Sequence, residues 1–132
     1  MKLHKPLVSA LLLCVFAAPF AATAADGDWK RGRVYYQMVC TACHKEPASG
    51  GKAIGPNTKT KAEWSAYILA DKHAKGKDSL KYYISQEYRA KIKATNKAAE
   101  KFADVPDQDL LNDIKAFVTK GAKDGDSPAS CS

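Results

Sequence analysis

The sequence lacks several features that would indicate other classes of protein. No stretch alternates apolar and polar residues for long enough to predict a strand, so we expect an all-α fold. The longest apolar run, Leu7 to Phe20, is interrupted by Pro19 and is shorter than the roughly 20 residues that span a bilayer, which argues against a stable membrane anchor. The basic residues are scattered without an arginine cluster, which disfavours nucleic acid as a partner.

The two ends of the chain differ in composition from its middle. Lysines near the start, the apolar run and the small residues at 21–25 predict a cleavable secretory signal over residues 1–25. Residues 26–122 are enough for one domain. Residues 123–132 are mostly small and polar, so we expect a disordered tail.

Positive charge is in excess, because the chain has 21 Lys and Arg against 14 Asp and Glu. The predicted signal holds two of the basic residues and no acidic one, which leaves the mature chain at +5. In an exported domain this excess suggests docking on acidic surfaces of partner proteins, although it would also serve solubility alone.

Two thiols and an imidazole stand together at Cys40-Thr41-Ala42-Cys43-His44. This spacing is typical of covalent attachment of one haem c, with a thioether from each cysteine and the histidine on the iron. A thioredoxin-like redox pair would need a surrounding βαβ pattern, and no such pattern surrounds these residues. A zinc site would need a second pair of ligands, whereas His73 and Cys131 each stand alone downstream.

Apolar periodicity predicts about four to five helices. The first covers 28–43 with Asp28 as its N-cap, and the last covers 107–120. We expect them to cross at Gly32, with Tyr36 and Phe117 packed beside the contact. Between them, Thr60 opens a helix through a capping box, and Asp78 or Ser79 caps another.

These features together resemble class I cytochromes c, the small bacterial monohaem proteins. The residues that carry the resemblance are Gly32, Tyr36, Cys40, Cys43, His44, Gly55, Pro56, Ile114 and Phe117. The resemblance implies that Cys40 and Cys43 hold the haem and that His44 is the proximal iron ligand. It also implies that the terminal helices cross and that the Pro56 carbonyl accepts the other ring N–H of His44.

The chain departs from that family on the distal side of the haem. Class I cytochromes c supply a methionine there, but this sequence has only Met1 and Met38, and Met38 lies on the helix of the attachment site. His73 is one candidate for the missing iron ligand. Lys93, a neighbouring lysine or Asn96 is another, and an open site is a third.

The expectation from sequence is therefore a periplasmic carrier of single electrons that is not an enzyme. Two alternatives stay open. One is a haem protein whose open distal site binds or senses NO or CO, and the other is a haem subunit of a larger periplasmic oxidoreductase. The leftover Cys131 would allow a disulfide to a partner protein.

Overall fold

The computed structural model describes residues 26–44, 54–73 and 78–126, and these residues form six helices and one short 3₁₀ turn at Pro56–Thr58. Helix α1 covers 29–44 in three consecutive parts, Trp29–Tyr35, Tyr36–Cys40 and Thr41–His44. It is followed by α2 (Lys61–Ala70), α3 (Leu80–Ile84), α4 (Gln86–Ile92), α5 (Lys97–Lys101) and α6 (Asp107–Lys120). Within these ranges the only β-type pairing is an isolated bridge between His73 and Asp78, so the predicted all-α class is confirmed.

The helix count exceeds the predicted four to five for two reasons. Ser85 has extended backbone angles (φ −62°, ψ 153°) and divides the predicted third helix into α3 and α4. Its hydroxyl then accepts the amide of Tyr88 and so caps α4. The short helix α5, capped by the side chain of Asn96, was not predicted at all.

The predicted helix starts are confirmed where a side chain caps them. Asp28 accepts the amides of Lys30 and Arg31 at the start of α1. Thr60 and Glu63 form the reciprocal capping box of α2. Of the two residues proposed for α3, Ser79 is the cap.

The middle of α1 winds more loosely than its ends. Over Tyr36–Cys40 the hydrogen bonds span five residues, and the amide of Thr41 reaches the carbonyl of Tyr36. Such π-helical turns are rare and occur often beside functional sites. Here the turn ends at Cys40, the first cysteine of the motif.

Helices α1 and α6 cross at Gly32, as predicted. A Cβ placed on Gly32 would lie 2.0 Å from the carbonyl oxygen of Asp113, so only glycine permits this approach. Beside the crossing, the rings of Tyr36 and Phe117 lie 5.4 Å apart. The residues buried around it are Tyr35, Leu110, Leu111, Ile114 and Val118.

A buried carboxylate strengthens this crossing. Asp113 is 1% exposed, accepts the Asp28 amide at 2.7 Å and forms an ion pair with Arg31. The hydrogen bond that Arg31 donates to the Asp113 carboxylate is the main reason that the pKa of Arg31 is raised. The start of α1 is thereby tied to the middle of α6.

A buried arginine organises the opposite side of the domain. Arg89 is 0% exposed, and its guanidinium donates to the carbonyls of Phe102 and Val105 and to the Asp107 carboxylate. These contacts join α4 to the turn between α5 and α6. These hydrogen bonds compensate the buried positive charge of Arg89, as burial of a charge requires.

The described residues continue past the predicted domain boundary at 122. The amide of Lys123 donates to Lys59 O at 3.0 Å, and Asp124 accepts the Lys61 amide at 2.7 Å. Residues in the first part of the predicted tail are therefore hydrogen-bonded to the residues that precede and begin α2. The predicted signal at 1–25 and Cys131 lie outside the described residues. Among the residues that the structure describes, no helix is long and apolar enough to cross a membrane.

Candidate functional site

A cavity of about 220 Å³ opens beside the end of α1, and the predicted motif lies in its wall. Helices α2, α3, α4 and α6 and the segments that connect the helices supply the other walls. Most of the lining side chains are apolar or aromatic: Tyr36, Val39, Ile54, Trp64, Tyr67, Ile68, Leu80, Tyr83, Ile84, Tyr88, Ile114 and Val118. The remaining ones are Cys40, Cys43, His44, Lys59 and His73. A pocket of this kind suits a largely apolar ligand that a few polar groups hold in place.

The two cysteines lie on the last turns of α1 and both face this cavity. Burial raises the pKa of the Cys40 thiol to about 12, so the thiol is protonated near neutral pH. A reactive dithiol needs the opposite, a thiolate stabilised at the start of a helix. The C-terminal end of α1 carries negative partial charge instead, which disfavours the thioredoxin-like alternative.

Two imidazoles meet across the cavity. The ring of His44, at the end of α1, lies 5.6 Å from the ring of His73, and their planes are inclined by 70°. His73 follows α2 by three residues, so the contact joins segments that are far apart in sequence. The side chains of His44 and His73 thus come from separate segments and lie next to each other in the cavity.

His73 is held by neighbours on three sides. Its Nδ1 forms a hydrogen bond of 2.7 Å with the Tyr67 hydroxyl, and its ring lies 5.1 Å from that of Tyr83. Its amide donates to the Asp78 carbonyl at 2.9 Å. Burial, and then the nearby His44, lower the pKa of His73, which favours the neutral imidazole that a metal ion requires.

The segment that contains Pro56 is anchored to the same site. Trp64 donates its indole N–H to the Pro56 carbonyl at 2.7 Å, and Tyr36 donates its hydroxyl to the carbonyl of Ile54. A carbonyl oxygen has two lone pairs, so the Trp64 contact leaves room for a second donor. The expected bond from the ring of His44 to Pro56 stays a prediction.

The other candidate ligands lie elsewhere on the molecule. Lys93 is exposed at the end of α4, and it is not among the cavity-lining residues in the described part of the chain. Lys91 pairs with Glu87 at 2.7 Å. Asn96 caps α5 and donates to the Met38 carbonyl, and Met38 itself is 48% exposed.

Sequence reasoning missed three residues of the cavity wall as site residues. Tyr67 and Tyr83 flank His73, and Lys59 places its ammonium over the rings of Trp64 and Tyr67 at 5.8 and 5.6 Å. The helical periodicity of Tyr67 and Tyr83 indicated a buried face but not a shared contact. Lys59 precedes the capping box and had no distinguishing signal in the sequence.

In the ranges 26–44, 54–73 and 78–126, no three Cys, His, Asp or Glu side chains converge as a metal-binding cluster. Comparisons of the chain with protein-family models, with curated proteins and with solved structures found no match.

Proposed function

We propose that this chain is a monohaem c-type cytochrome of the class I type that carries single electrons between redox partners. The observation that carries the proposal is the position of the motif: Cys40, Cys43 and His44 all line one largely apolar cavity. A CxxCH sequence on an exposed surface would offer no enclosure for a porphyrin. Here the covalent anchors and the enclosure occur together.

The residues of the cavity fit this cofactor in kind. Cys40 and Cys43 would form the thioethers, His44 would bind the iron, and Lys59 would offer a positive charge to a haem carboxylate. Bound haem supplies one-electron redox chemistry at its iron. The role of the protein is to hold the group, to exclude water with apolar walls and to keep the imidazole oriented.

The helix crossing adds support for the class I type. Gly32 allows the backbones of α1 and α6 to touch, and the Tyr36–Phe117 contact lies beside that point. The crossing was expected from the sequence pattern and also from the resemblance to class I cytochromes c, and the Tyr36–Phe117 contact was expected from the sequence pattern. The motif lies at the end of α1, one of the two crossing helices, and its residues line the cavity.

The proposed setting is the periplasm, reached through the signal at 1–25. The mature charge of +5 would favour redox partners with acidic docking surfaces. Electron exchange of this kind requires no residue to act as acid, base or nucleophile, so the proposed protein is not an enzyme.

Covalent haem attachment tests the proposal directly. The full chain is produced in cells that attach haem to exported proteins, then denatured and extracted with acidified acetone. We expect one haem to remain per chain in the unaltered protein and in the control Cys131→Ser, and none in the double variant Cys40→Ala/Cys43→Ala. Haem that extracts freely from the unaltered chain, or an absence of haem, would contradict the proposed function.

A further inference from the structure

The cavity brings a second imidazole to the position opposite His44. We propose that His73 is the sixth ligand of the iron and that Tyr67 is the residue that positions its ring; this inference rests on the proposed function. The site is then a bis-histidine one, with no methionine and no open coordination position. The ligand then comes from the segment after α2 and not from the residues between α3 and α6, where the other candidates, Lys93 and Asn96, lie.

The spacing of the two rings fits one metal ion between them. A metal–imidazole bond is about 2.0–2.1 Å long, which separates the centres of two opposed rings by roughly 6.3 Å. The observed separation of 5.6 Å differs from that value by less than 1 Å. The separation of the two rings is therefore close to that of two imidazoles bound to one metal ion.

Tyr67 determines which nitrogen of His73 is presented. Its hydroxyl lies 2.7 Å from Nδ1, so Nε2 is the nitrogen left for the iron. When Nε2 binds a metal, Nδ1 carries the proton and donates it to the phenolic oxygen. Hydrogen bonds of this type orient ligating histidines and strengthen their bonds to metal.

The backbone around His73 is also arranged in advance. Asp71 ends α2 in the left-handed region (φ 51°) and turns the chain back. Its carboxylate accepts the Lys81 amide at 2.9 Å, and the His73 amide donates to Asp78 at the same distance. The hydroxyl of Tyr83 donates to the Asp78 carboxylate while its ring contacts His73. A ligand held in this way loses little freedom on binding.

Carbon monoxide provides a quantitative test, because it can bind ferrous iron only while His73 is dissociated. The apparent dissociation constant for CO is the intrinsic one divided by the fraction of protein with an open site. Loss of an outer hydrogen bond typically weakens a ligand by about 10–100-fold. Tyr67→Phe should therefore tighten apparent CO binding by about tenfold or more, and His73→Ala should tighten it further.

The experiment uses purified holoprotein, its optical spectrum and CO titration of the reduced form. Tyr82→Phe is the matched control, because the Tyr82 hydroxyl contacts the Lys91 ammonium, 3.1 Å away. We expect low-spin iron with weak CO binding in the unaltered protein and in Tyr82→Phe. His73→Ala should be high-spin, and added imidazole should restore its low-spin spectrum. If His73→Ala yields no holoprotein, His73→Met should yield low-spin iron with a raised midpoint potential.

Three results would overturn the inference. One is high-spin iron in the unaltered protein with CO affinity equal to that of His73→Ala or His73→Met. Another is an open site produced by Lys93→Ala but not by changes at His73. A third is equal CO affinity in Tyr67→Phe and Tyr82→Phe, which would remove the positioning role of Tyr67. Failure of the proposed function itself is distinguishable, because no covalent haem would then be found, and the inference would fall with it.

Discussion

Substitution of Gly32 by alanine tests the helix crossing that holds the site together. In a solvent-exposed helix this change would stabilise the protein by about 1 kcal/mol, because alanine is the better helix former. At this crossing the added methyl carbon would lie 2.0 Å from Asp113 O, 2.4 Å from Asp113 C and 2.9 Å from the amide nitrogen of Ile114. All three are backbone atoms, so no side-chain rotation relieves the overlap.

The magnitude follows from the separation that the two helices must undergo. Ordinary contact begins near 3.4 Å, so α1 and α6 must move apart by more than 1 Å at Gly32. Overpacking of this kind costs about 1–3 kcal/mol. The same movement stretches the ion pair of Arg31 with Asp113; because the Arg31 side chain is 33% exposed, weakening this pair adds only about 1 kcal/mol. With the helix gain of about 1 kcal/mol subtracted, we expect a net loss of about 1–3 kcal/mol.

Urea unfolding of the holoprotein measures this loss. Gly55→Ala is the control, because the atom that its Cβ would approach is the movable side-chain oxygen of Asn57, 2.8 Å away. A domain of this size typically has about 5–15 kcal/mol of stability, so Gly32→Ala should lower the midpoint clearly and Gly32→Leu should reduce the yield of holoprotein. Unchanged or increased stability of Gly32→Ala would show that the helices do not touch at this residue.

Three further predictions concern other parts of the molecule. Arg89→Lys should lose about 3–5 kcal/mol in urea unfolding, because one ammonium cannot replace a buried guanidinium that bonds two carbonyls and Asp107; a loss below 1 kcal/mol would contradict this. The hydrogen bond from the Thr60 amide lowers the pKa of Glu63 below its ordinary 4.5, so the capping box stabilises the fold above that pH and loses its effect as pH falls through the lowered pKa. NMR titration should show the Glu63 midpoint below 4.5, and a midpoint at or above 4.5 would be inconsistent with the capping box. Potentiometric titration should place the midpoint potential below that of methionine-ligated class I cytochromes c, and a potential within their range would contradict the proposed absence of a methionine ligand.

Much of the fold could be predicted because its signals are local. Asp28, Thr60 and Ser79 cap helices through hydrogen bonds to amides two or three residues away, and such contacts depend on little beyond the sequence nearby. The crossing at Gly32 was also predictable, since a glycine inside an apolar helix stripe indicates close approach. The break at Ser85 was not, because a serine within an apolar periodicity is compatible with a continuous helix.

Buried charges were the main feature of the fold that sequence reasoning could not find. Arg89 and Asp113 look like surface residues in a chain rich in charge. Their burial depends on partners far away in sequence, 18 residues for Arg89–Asp107 and 82 for Arg31–Asp113. Nothing in the residues next to them marks these pairs.

The candidate site likewise has one part that the sequence predicts and another that depends on tertiary packing. The sequence alone determined the grouping of Cys40, Cys43 and His44, because residues three and four apart on a helix share one face and three neighbouring residues need no tertiary contact to act together. Only the tertiary structure decided which side chain lies next to His44 in the cavity. His73 reaches that point because Asp71 reverses the chain after α2 and Tyr67 holds the ring, whereas Lys93 lies on the exposed end of α4. Distances between segments arise from packing, and local patterns in the sequence do not encode them.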